Sequence, residues 1–448
     1  MDIQAIDLYL QKLQEGVTLH NTVHDADMAD YLEEVKHQDV EKFFAYLDSL
    51  PLKLKADTLM ELPVPFQIDF ILAHDADNLA EIIEVMESDD GADFVQATHK
   101  TDPKKAKELL KRLKNQTQET IEKLMHYQSN EAGSVMQTEL FQVSNQKRVA
   151  DAILALRVLK QKNIGSVHNL FVTDETGKFI NTIGLDNLLL EGKEAFLDEI
   201  IKKLPTSHSV CAHDSIEKAL QTIEKYDIAS LAVVDAKGTL LGRITHDDAL
   251  DMTQKRATQQ IYNLNNVSKD EELHESFGKT TQTRTLWLSI NLLNAIIASL
   301  VIGIFEETLA AVIALAVLMP IVANMAGTAS VQTMTVTVRQ MALGQISFHR
   351  LKPVFIKELT MAVINGVWFG IISAIVAQIW FEQTPIAVSI GLSMFVSFLF
   401  AGILGTSVPL LIKKAGFDPA VASSVIVITL IDIIGFFSFL SFAEIIVL

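Results

Sequence analysis

Long apolar segments occur in only one part of this sequence, and they constrain its fold more than any other feature. Five such segments follow residue 285, and none precedes it. Because a helix needs ~20 apolar residues to cross the ~30 Å hydrocarbon core of a bilayer, the sequence predicts five membrane-spanning helices. The predicted spans cover residues 286–305, 309–338, 359–381, 386–412 and 420–448.

The charged residues have the opposite distribution along the chain. Residues 1–284 contain 31 Lys and Arg against 48 Asp and Glu, so this segment carries −17 of the net charge of −18. Such an acidic segment repels phosphate backbones, which argues against nucleic-acid binding. Cys211 is the only cysteine, which excludes an intrachain disulfide. The sequence contains no nucleophile with a neighbouring base and no phosphate-binding loop, so we do not expect an enzyme.

The charges in the connections between the spans predict the orientation in the membrane. Lys and Arg occur before the first span, between the second and third, and between the fourth and fifth. The two remaining connections contain only glutamate as a charged residue. Because cytoplasmic connections are enriched in Lys and Arg, the long amino-terminal half is expected in the cytoplasm and the carboxyl terminus outside. The predicted protein crosses the cell (inner) membrane several times.

A single carboxylate lies near the middle of the last span. Asp432 is 12 residues into the span, which corresponds to ~18 Å along an α-helix. Thr429 and Gly435 lie three residues to either side, on the same helical face. A charge within lipid is costly unless it faces the interior of a helix bundle or water. The pattern favours a cation site, and a buried carboxyl bonded to a neighbouring helix is the alternative.

The second span is more polar than contact with lipid requires. Asn324, Thr328, Ser330 and Gln332 follow Pro320, which removes a backbone donor from the helix. Small hydroxyl residues allow tight packing between membrane helices, so one interpretation is a packing seam. The other interpretation is the lining of a pore, and the two remain open at this point.

Before the spans, the sequence divides into two kinds of folded unit. Residues 17–128 contain successive amphipathic helices without strand-like alternation. Residues 171–178 are similar to residues 232–239, at an offset of 61, and each copy has the pattern of a βαββα unit. Acidic residues cluster in both units and are candidates for binding a divalent cation between domains, or else form a solvated surface. The candidate ligands are Asp89, Asp90, Asp93, Asp247, Asp248 and Asp251.

Together these features resemble the MgtE family of magnesium channels and transporters, with this chain as a divergent member. The resemblance covers essentially the whole chain. The similar residues near the start of the first repeat are Tyr127, Glu131, Ala132, Gly133 and Met136. Those in the membrane half are Phe305, Glu306, Pro320, Gln332, Arg339, Lys357, Glu358, Pro409, Asp418, Pro419, Ala420, Asp432 and Gly435.

The resemblance implies a multidomain fold with four parts in order. These are an all-α N-terminal domain that is acidic and superhelical, an α+β tandem CBS pair, a connecting (plug) helix and a five-span α-helical transmembrane domain. The predicted boundaries are 1–130 for the N domain, 131–190 and 191–250 for the CBS repeats, 251–284 for the plug helix and 285–448 for the pore domain.

The resemblance also implies a homodimer with the second and fifth spans of both chains around a central pore. The implied pore ligands for a metal ion are Asp432, Asp418 and Thr429. Mg²⁺ keeps most of its waters, so carboxylates would bind a hydrated ion through those waters. The implied pore lining consists of Pro320, Asn324, Thr328, Ser330 and Gln332.

The leading prediction is a gated channel or transporter that mediates passive Mg²⁺ uptake, regulated by its cytosolic domains. Its expected partners are a second copy, membrane lipid and divalent cations. One alternative is a channel of altered selectivity for Mn²⁺, Co²⁺ or Ca²⁺. Another is a non-conducting membrane-anchored CBS sensor of ions or nucleotide, although an anchor has no need of a carboxylate at mid-bilayer.

The chain departs from the family pattern at positions that bear on selectivity and regulation. Residues 326–330 read Ala-Gly-Thr-Ala-Ser where the family carries a Gly-Gly-Asn-x-Gly run. In the connecting helix, neutral or basic residues replace acidic ones that help to hold a magnesium-locked closed state. We therefore expect that this protein senses cytosolic Mg²⁺ weakly or by another route. The replacing residues are Gln254, Arg256, Gln259 and Gln260.

A nucleotide site is a weaker implication of the resemblance. CBS pairs often bind adenosine nucleotides through a Ser or Thr and an Asp three residues later. Thr245 and Asp248 have this spacing in the second repeat, whereas the first repeat has Gly184 and Asn187. ATP is thus a candidate ligand at one position, but Thr245 as a helix cap explains the same residues without a ligand.

Overall fold

The computed structural model describes residues 3–14, 23–161, 167–264, 277–342, 346 and 351–447. They form two compact units, Met1–Gln254 and Lys255–Leu448. The first contains the helical N domain and the paired repeats, and the second contains the apolar helices.

Nine helices described in residues 3–125 form the N domain. Their ends follow local capping chemistry, because the side chains of Asp39, Asp75 and Asp102 accept backbone N–H groups at the starts of three of them. Their apolar faces meet in a core in which Phe43 and Phe94 are fully buried. The helices are α1 Ile3–Gln14, α2 Asp25–Gln38, α3 Val40–Ser49, α4 Leu52–Glu61, α5 Val64–Ala73, α6 Ala76–Ile83, α7 Ser88–Thr101, α8 Pro103–Arg112 and α9 Asn115–Met125.

The paired module consists of two three-stranded sheets with the same topology. In each sheet the first strand is parallel to the second, and the second is antiparallel to the third. The strands are β1 Gln142–Ser144, β2 Asn169–Thr173, β3 Phe179–Gly184, β4 Ser209–Cys211, β5 Ser230–Val234 and β6 Leu240–Thr245. The helices are α10 Val149–Gln161, α11 Leu185–Leu190, α12 Leu197–Ile201, α13 Ile216–Tyr226 and α14 His246–Leu264, and a short 3₁₀ turn spans Ala132–Val135.

The hairpin turns of the two sheets show the repeat at the predicted offset. Gly177 and Gly238 have φ of +84° and +86°, a left-handed conformation that favours glycine at this turn position. The two hairpins bond to each other, because the Phe179 N–H donates to Gly238 O at 2.9 Å and the Leu240 N–H donates to Gly177 O at 3.0 Å. The copies are therefore joined through equivalent turns.

Six helices described after residue 276 form the second unit. They are α15 Phe277–Ile304, α16 Glu306–Ala311, α17 Ala314–Ala342, α18 Leu351–Phe381, α19 Thr384–Lys414 and α20 Pro419–Val447. Five of them, all but the short α16, are long and apolar enough to cross a membrane. The second span begins later than predicted because α16 precedes it as a separate helix. The predicted plug segment has its first part in α14 and its last part in α15, and residues 265–276 lie outside the described residues.

Glycines set the distance between α18 and α19. A Cβ atom added at Gly370 would lie 2.8 Å from the carbonyl oxygen of Gly391, and one added at Gly366 would lie 3.2 Å from that of Phe395. Backbones can approach this closely only where side chains are missing. Helix α19 packs closely against α18 and also contacts α17 and α20. The predicted pore residues lie on α17 and α20.

Candidate functional site

Asp432 occupies the middle of α20, next to a closely packed face of that helix. Gly435, one turn later, is buried, and a Cβ atom there would lie 3.5 Å from Val322 of α17 and 3.6 Å from the Ser397 hydroxyl of α19. Asp432 itself is partly exposed. Within the described part of the chain, its carboxylate has no hydrogen-bond or ion-pair partner.

Thr429 lies within α20, whereas Asp418 immediately precedes that helix. The Thr429 hydroxyl donates to the carbonyl of Val425 at 2.7 Å, so its oxygen can only accept from, or coordinate, another group. Asp418 accepts from the Ala420 N–H at 2.9 Å and from the Asn263 side chain of α14 at 3.1 Å. It precedes Asp432 by 14 residues, or ~21 Å along the axis. The structure therefore does not bring Asp418 and Asp432 together.

The polar residues of α17 divide between two faces of the helix. Asn324, Thr328 and Gln332 recur every fourth residue and are exposed within this single chain. Ser330 is fully buried and lies against α19, where a Cβ atom at Gly405 would be 3.0 Å from its carbonyl oxygen. The packing-seam interpretation thus fits Ser330, and the exposed face remains available as a pore lining. Pro320 lies in the first turns of α17 and is also exposed.

In the first unit, α7 and the start of α14 bring carboxylates together where the N domain meets the second repeat. Burial raises the pKa of Asp89 well above its usual value, and the charges of Asp90, Asp248 and Glu87 raise it further. Burial also raises the pKa of Asp90 to about 7, and the charges of Glu87, Asp248, Asp93 and Asp57 raise it further. One Asp89 carboxylate oxygen is buried without a hydrogen-bond partner among the described groups.

The predicted sensing residues are therefore only partly assembled. The charges of Asp90 and Asp248 act on Asp89, and those of Asp248 and Asp93 act on Asp90, although Asp93, Asp247 and Asp251 are exposed. Across the described residues, no three His, Cys, Asp or Glu side chains are placed to hold a metal ion. Sequence reasoning missed Asp57 as part of this cluster, because it lies on α4, far from the other carboxylates in sequence.

Thr245 and Asp248 bond to each other at the start of α14. The Thr245 hydroxyl donates to the Asp248 carboxylate, and the Asp248 N–H donates back to that hydroxyl at 3.4 Å. The Gln137 side chain donates to the same carboxylate oxygen of Asp248 at 3.0 Å. Burial raises the pKa of Asp248, and the Thr245 hydrogen bond opposes this effect. The bond from the Asp248 N–H to the Thr245 hydroxyl is the predicted helix-cap contact. The Thr245 and Gln137 side chains both bond to one carboxylate oxygen of Asp248, the residue predicted to bind ribose.

Three sequence models of protein families match separate parts of the chain. The first, described as a divalent cation transporter (MgtE), matches residues 319–442. The MgtE intracellular N domain matches residues 23–130, and the CBS domain matches residues 200–254.

Curated relatives match over most of the chain. The magnesium transporter MgtE of Thermus thermophilus is 28% identical over 442 residues, which are 97% of this chain and 96% of that protein. The magnesium transporter MgtE of Enterococcus faecalis is 28% identical over 314 residues, covering 70% of this chain and 68% of that protein. These relatives are transporters by name, which agrees with the expectation of a protein that is not an enzyme.

Solved structures match the first unit. A cytosolic domain of the Mg²⁺ channel MgtE in complex with ATP is 27% identical, with a TM-score of 0.50, over 56% of this chain and 99% of that one. The soluble part of a magnesium transporter shares the fold. It is 22% identical, with a TM-score of 0.51, over 57% of this chain and 98% of that one. These matches and the five apolar helices confirm the predicted fold class, and the chain is similar to MgtE transporters in its N domain, its second CBS repeat and its membrane half.

Proposed function

We propose that this protein is a gated Mg²⁺ channel that works as a homodimer and mediates passive uptake of magnesium. The observation that carries the proposal is the Asp432 carboxylate, which lies in the middle of a membrane helix without a described partner. A charge in this position is costly unless water or a mobile cation accompanies it. The transporter names of the family relatives support the same assignment.

The homodimer provides a second carboxylate and covers the polar face of α17. In one chain, Asn324, Thr328 and Gln332 are exposed, and the side-chain amides of Asn324 and Gln332 would find no hydrogen-bond partner in lipid. A second copy that turns the same face inward would surround water with these groups. Two Asp432 side chains across the dimer axis would then offer four oxygens to the waters of a hydrated Mg²⁺ ion, which loses its waters reluctantly.

The orientation of the chain gives the direction of transport. With Lys and Arg in the cytoplasmic connections, the first unit is cytoplasmic and the carboxyl terminus lies outside. A divalent cation that enters through a membrane potential of ~100 mV gains ~4.6 kcal/mol, which is twice the value for one charge. The potential is therefore sufficient to drive uptake without a second energy source.

A channel of altered selectivity is the second candidate function. The α17 segment that differs from the family pattern, residues 326–330, turns Ser330 away from the exposed face. The hydroxyl of Thr328 donates to the Asn324 carbonyl of its own helix at 2.8 Å. The exposed face thus offers few strong oxygen ligands beside Asp432, which would relax discrimination among Mg²⁺, Mn²⁺, Co²⁺ and Ca²⁺.

Regulation in this proposal belongs to the first unit and to α14. Asp89, Asp90 and Asp248 are the candidate ligands for cytosolic Mg²⁺, and the neutral or basic residues of α14 weaken the response. The positions concerned are Gln254, Arg256, Gln259 and Gln260. ATP remains a candidate ligand at Thr245 and Asp248, because a related cytosolic domain was solved with ATP.

Flux into proteoliposomes tests the proposal. Mg²⁺, Mn²⁺ and Ca²⁺ uptake would be compared for the unaltered protein, for Asp432→Ala and Asp432→Asn, and for Glu444→Gln, which removes an exposed carboxylate from the same helix. We expect both Asp432 variants to lose uptake and Glu444→Gln to retain it. Normal uptake by the Asp432 variants would refute the proposal. A folded parent protein that moves none of the three ions would favour the non-conducting sensor.

A further inference from the structure

A cavity of about 640 Å³ lies between the end of α9 and the second repeat. Small organic molecules bind in cavities of ~300–1,000 Å³, so this one is large enough for such a ligand. Part of its wall is apolar, with Leu124 near the end of α9, Met136 just after the 3₁₀ turn and Leu240 at the start of β6. These three side chains are buried, so the apolar wall belongs to the packed interior.

The titratable groups that line the cavity have an unusual composition for this chain. Lys123, His126 and His213 line it, whereas no Asp or Glu among the described residues does so. Acidic residues outnumber basic ones by 48 to 31 in residues 1–284, so a lining without carboxylates stands out from its surroundings. The Lys123 side chain is exposed and has no hydrogen-bond or ion-pair partner in the part of the chain that the structure describes. Its ammonium group is therefore available to an anion.

The aromatic ring of Tyr127 is held in place at one side of the cavity. A Cβ atom added at Gly133 would lie 2.7 to 2.8 Å from three carbons of this ring, so Gly133 lies over the ring face. The Gly133 N–H donates to the Ala212 carbonyl at 2.8 Å, which ties the 3₁₀ turn to the second repeat. Only a residue without a side chain fits between this backbone and the ring. The Tyr127 ring is therefore a fixed, flat surface beside the apolar wall.

His213 reaches the cavity from the second repeat. Its ring centroid lies 5.4 Å from that of Tyr127. Its Nδ1 atom donates to a carboxylate oxygen of Glu131 at 3.0 Å, and the other oxygen of Glu131 accepts from the Gln128 N–H at 2.8 Å. The Glu131 carboxylate is thus occupied by protein donors and fixes the imidazole ring. The Nε2 atom of His213 is left for a ligand.

The helix dipole explains part of this arrangement without a ligand. Lys123 lies in the last turn of α9 and His126 follows it, where positive charge stabilises a helix. The His126 ring also donates to the Glu122 carbonyl of the same helix. The dipole does not account for His213, which lies on a different element. It also does not account for the fixed ring of Tyr127 or for the apolar wall.

We propose that this cavity binds a small organic anion that carries one flat aromatic ring. The ring lies against Tyr127 and the apolar wall, and the anionic group lies beside Lys123 and His213. A carboxylate or a phosphate on the ring meets the same donors, so the shared chemistry is that of an aromatic anion. Thr245 and Asp248, the candidate nucleotide ligands, do not line this cavity, which makes it a separate site. The inference does not depend on the proposed channel, because its test requires no ion flux.

Fluorine NMR on the full-length chain in nanodiscs measures binding. The probes are 4-fluorophenyl phosphate, 4-fluorobenzoate and the neutral 4-fluorobenzyl alcohol, each titrated against the protein and against empty nanodiscs. We expect saturable binding of at least one anion, and the anion that binds more tightly identifies the anionic group. The alcohol keeps the ring without the charge, so it should bind at least about tenfold more weakly.

Substitutions then locate the probe. For Lys123→Gln we expect the affinity for the bound anion to fall about three- to tenfold, as for a partly exposed ion pair, whereas Lys123→Arg should retain it. Tyr127→Leu should cause a fall of about three- to tenfold through loss of the aromatic contact, and Tyr127→Phe should not. Lys111→Gln is the matched control, because Lys111 is an exposed lysine in the last turn of α8. Thermal unfolding of each variant confirms that it is folded.

Four outcomes would overturn the inference. Neither anion might exceed the signal from empty nanodiscs, in which case the cavity binds no aromatic anion. Equal affinity for the alcohol would show that charge plays no part. Unchanged affinity in both Lys123→Gln and Tyr127→Leu would place the probe elsewhere. An equal loss in Lys111→Gln would show that the anion responds to overall charge and not to this site.

Discussion

The contact between α17 and α19 is open to a direct test with a single methyl group. A Cβ atom at Gly405 would lie 2.9 Å from the Thr333 Cβ and 3.0 Å from the Ser330 carbonyl oxygen, both in α17. These are backbone-linked atoms that cannot rotate away, so Gly405→Ala must push the two helices apart. Overpacking of this kind costs ~1–3 kcal/mol, and the better helix propensity of alanine returns up to ~1 kcal/mol. We expect a net loss of ~1–2 kcal/mol.

Thermal unfolding of the purified protein in detergent, followed by fluorescence-detected size-exclusion chromatography, measures this loss. For a unit of ~200 residues, the expected change is a fall of ~2–8 °C in the unfolding midpoint. Gly303→Ala in α15 is the matched control, since a Cβ atom there has no neighbour within 4 Å. Mg²⁺ flux should also fall, because α17 carries the proposed pore face. An unfolding midpoint of Gly405→Ala that equals or exceeds that of Gly303→Ala would refute the close packing of α17 on α19. The assignment of the exposed face of α17 as the pore lining depends on that packing.

Three further predictions follow from individual residues. Burial and the neighbouring carboxylates raise the pKa of Asp90 to about 7. Between pH ~4 and 7 the folded protein therefore keeps a proton on Asp90 that the unfolded chain has released. The free energy of unfolding of the first unit falls as the pH rises through this range. Asp90→Asn should therefore raise the unfolding midpoint of the first unit at pH 8 and leave it nearly unchanged at pH 4, as measured by calorimetry. Asp418→Ala removes the cap of α20 and the bond to Asn263, and should lower the midpoint of the second unit by an amount equivalent to ~1 kcal/mol without abolishing flux. Gly238→Ala meets open space but needs φ of +86°, so we expect a loss of ~1–2 kcal/mol in chemical denaturation, against no loss for Gly192→Ala.

The sequence was sufficient for features that depend on local pattern. The apolar segments predicted five spans, and five helices of suitable length and composition are present. The similarity at an offset of 61 predicted two equivalent hairpins, and Gly177 and Gly238 occupy equivalent left-handed turn positions. Hydropathy did not separate α16 from the second span, because Leu309 to Ala311 continue the apolar run while the backbone leaves the helix near Val312.

Features that depend on which faces meet could not be derived from the sequence. Thr328 and Ser330 are both small and hydroxylated, so composition does not tell which one lies against α19. The close approach at Gly405 decides it, and this requires the three-dimensional arrangement. In the same way, runs of acidic residues suggested Asp93 and Asp251 as ligands, and both are exposed, but sequence runs could not show that the charge of Asp57, on another helix, acts on Asp90.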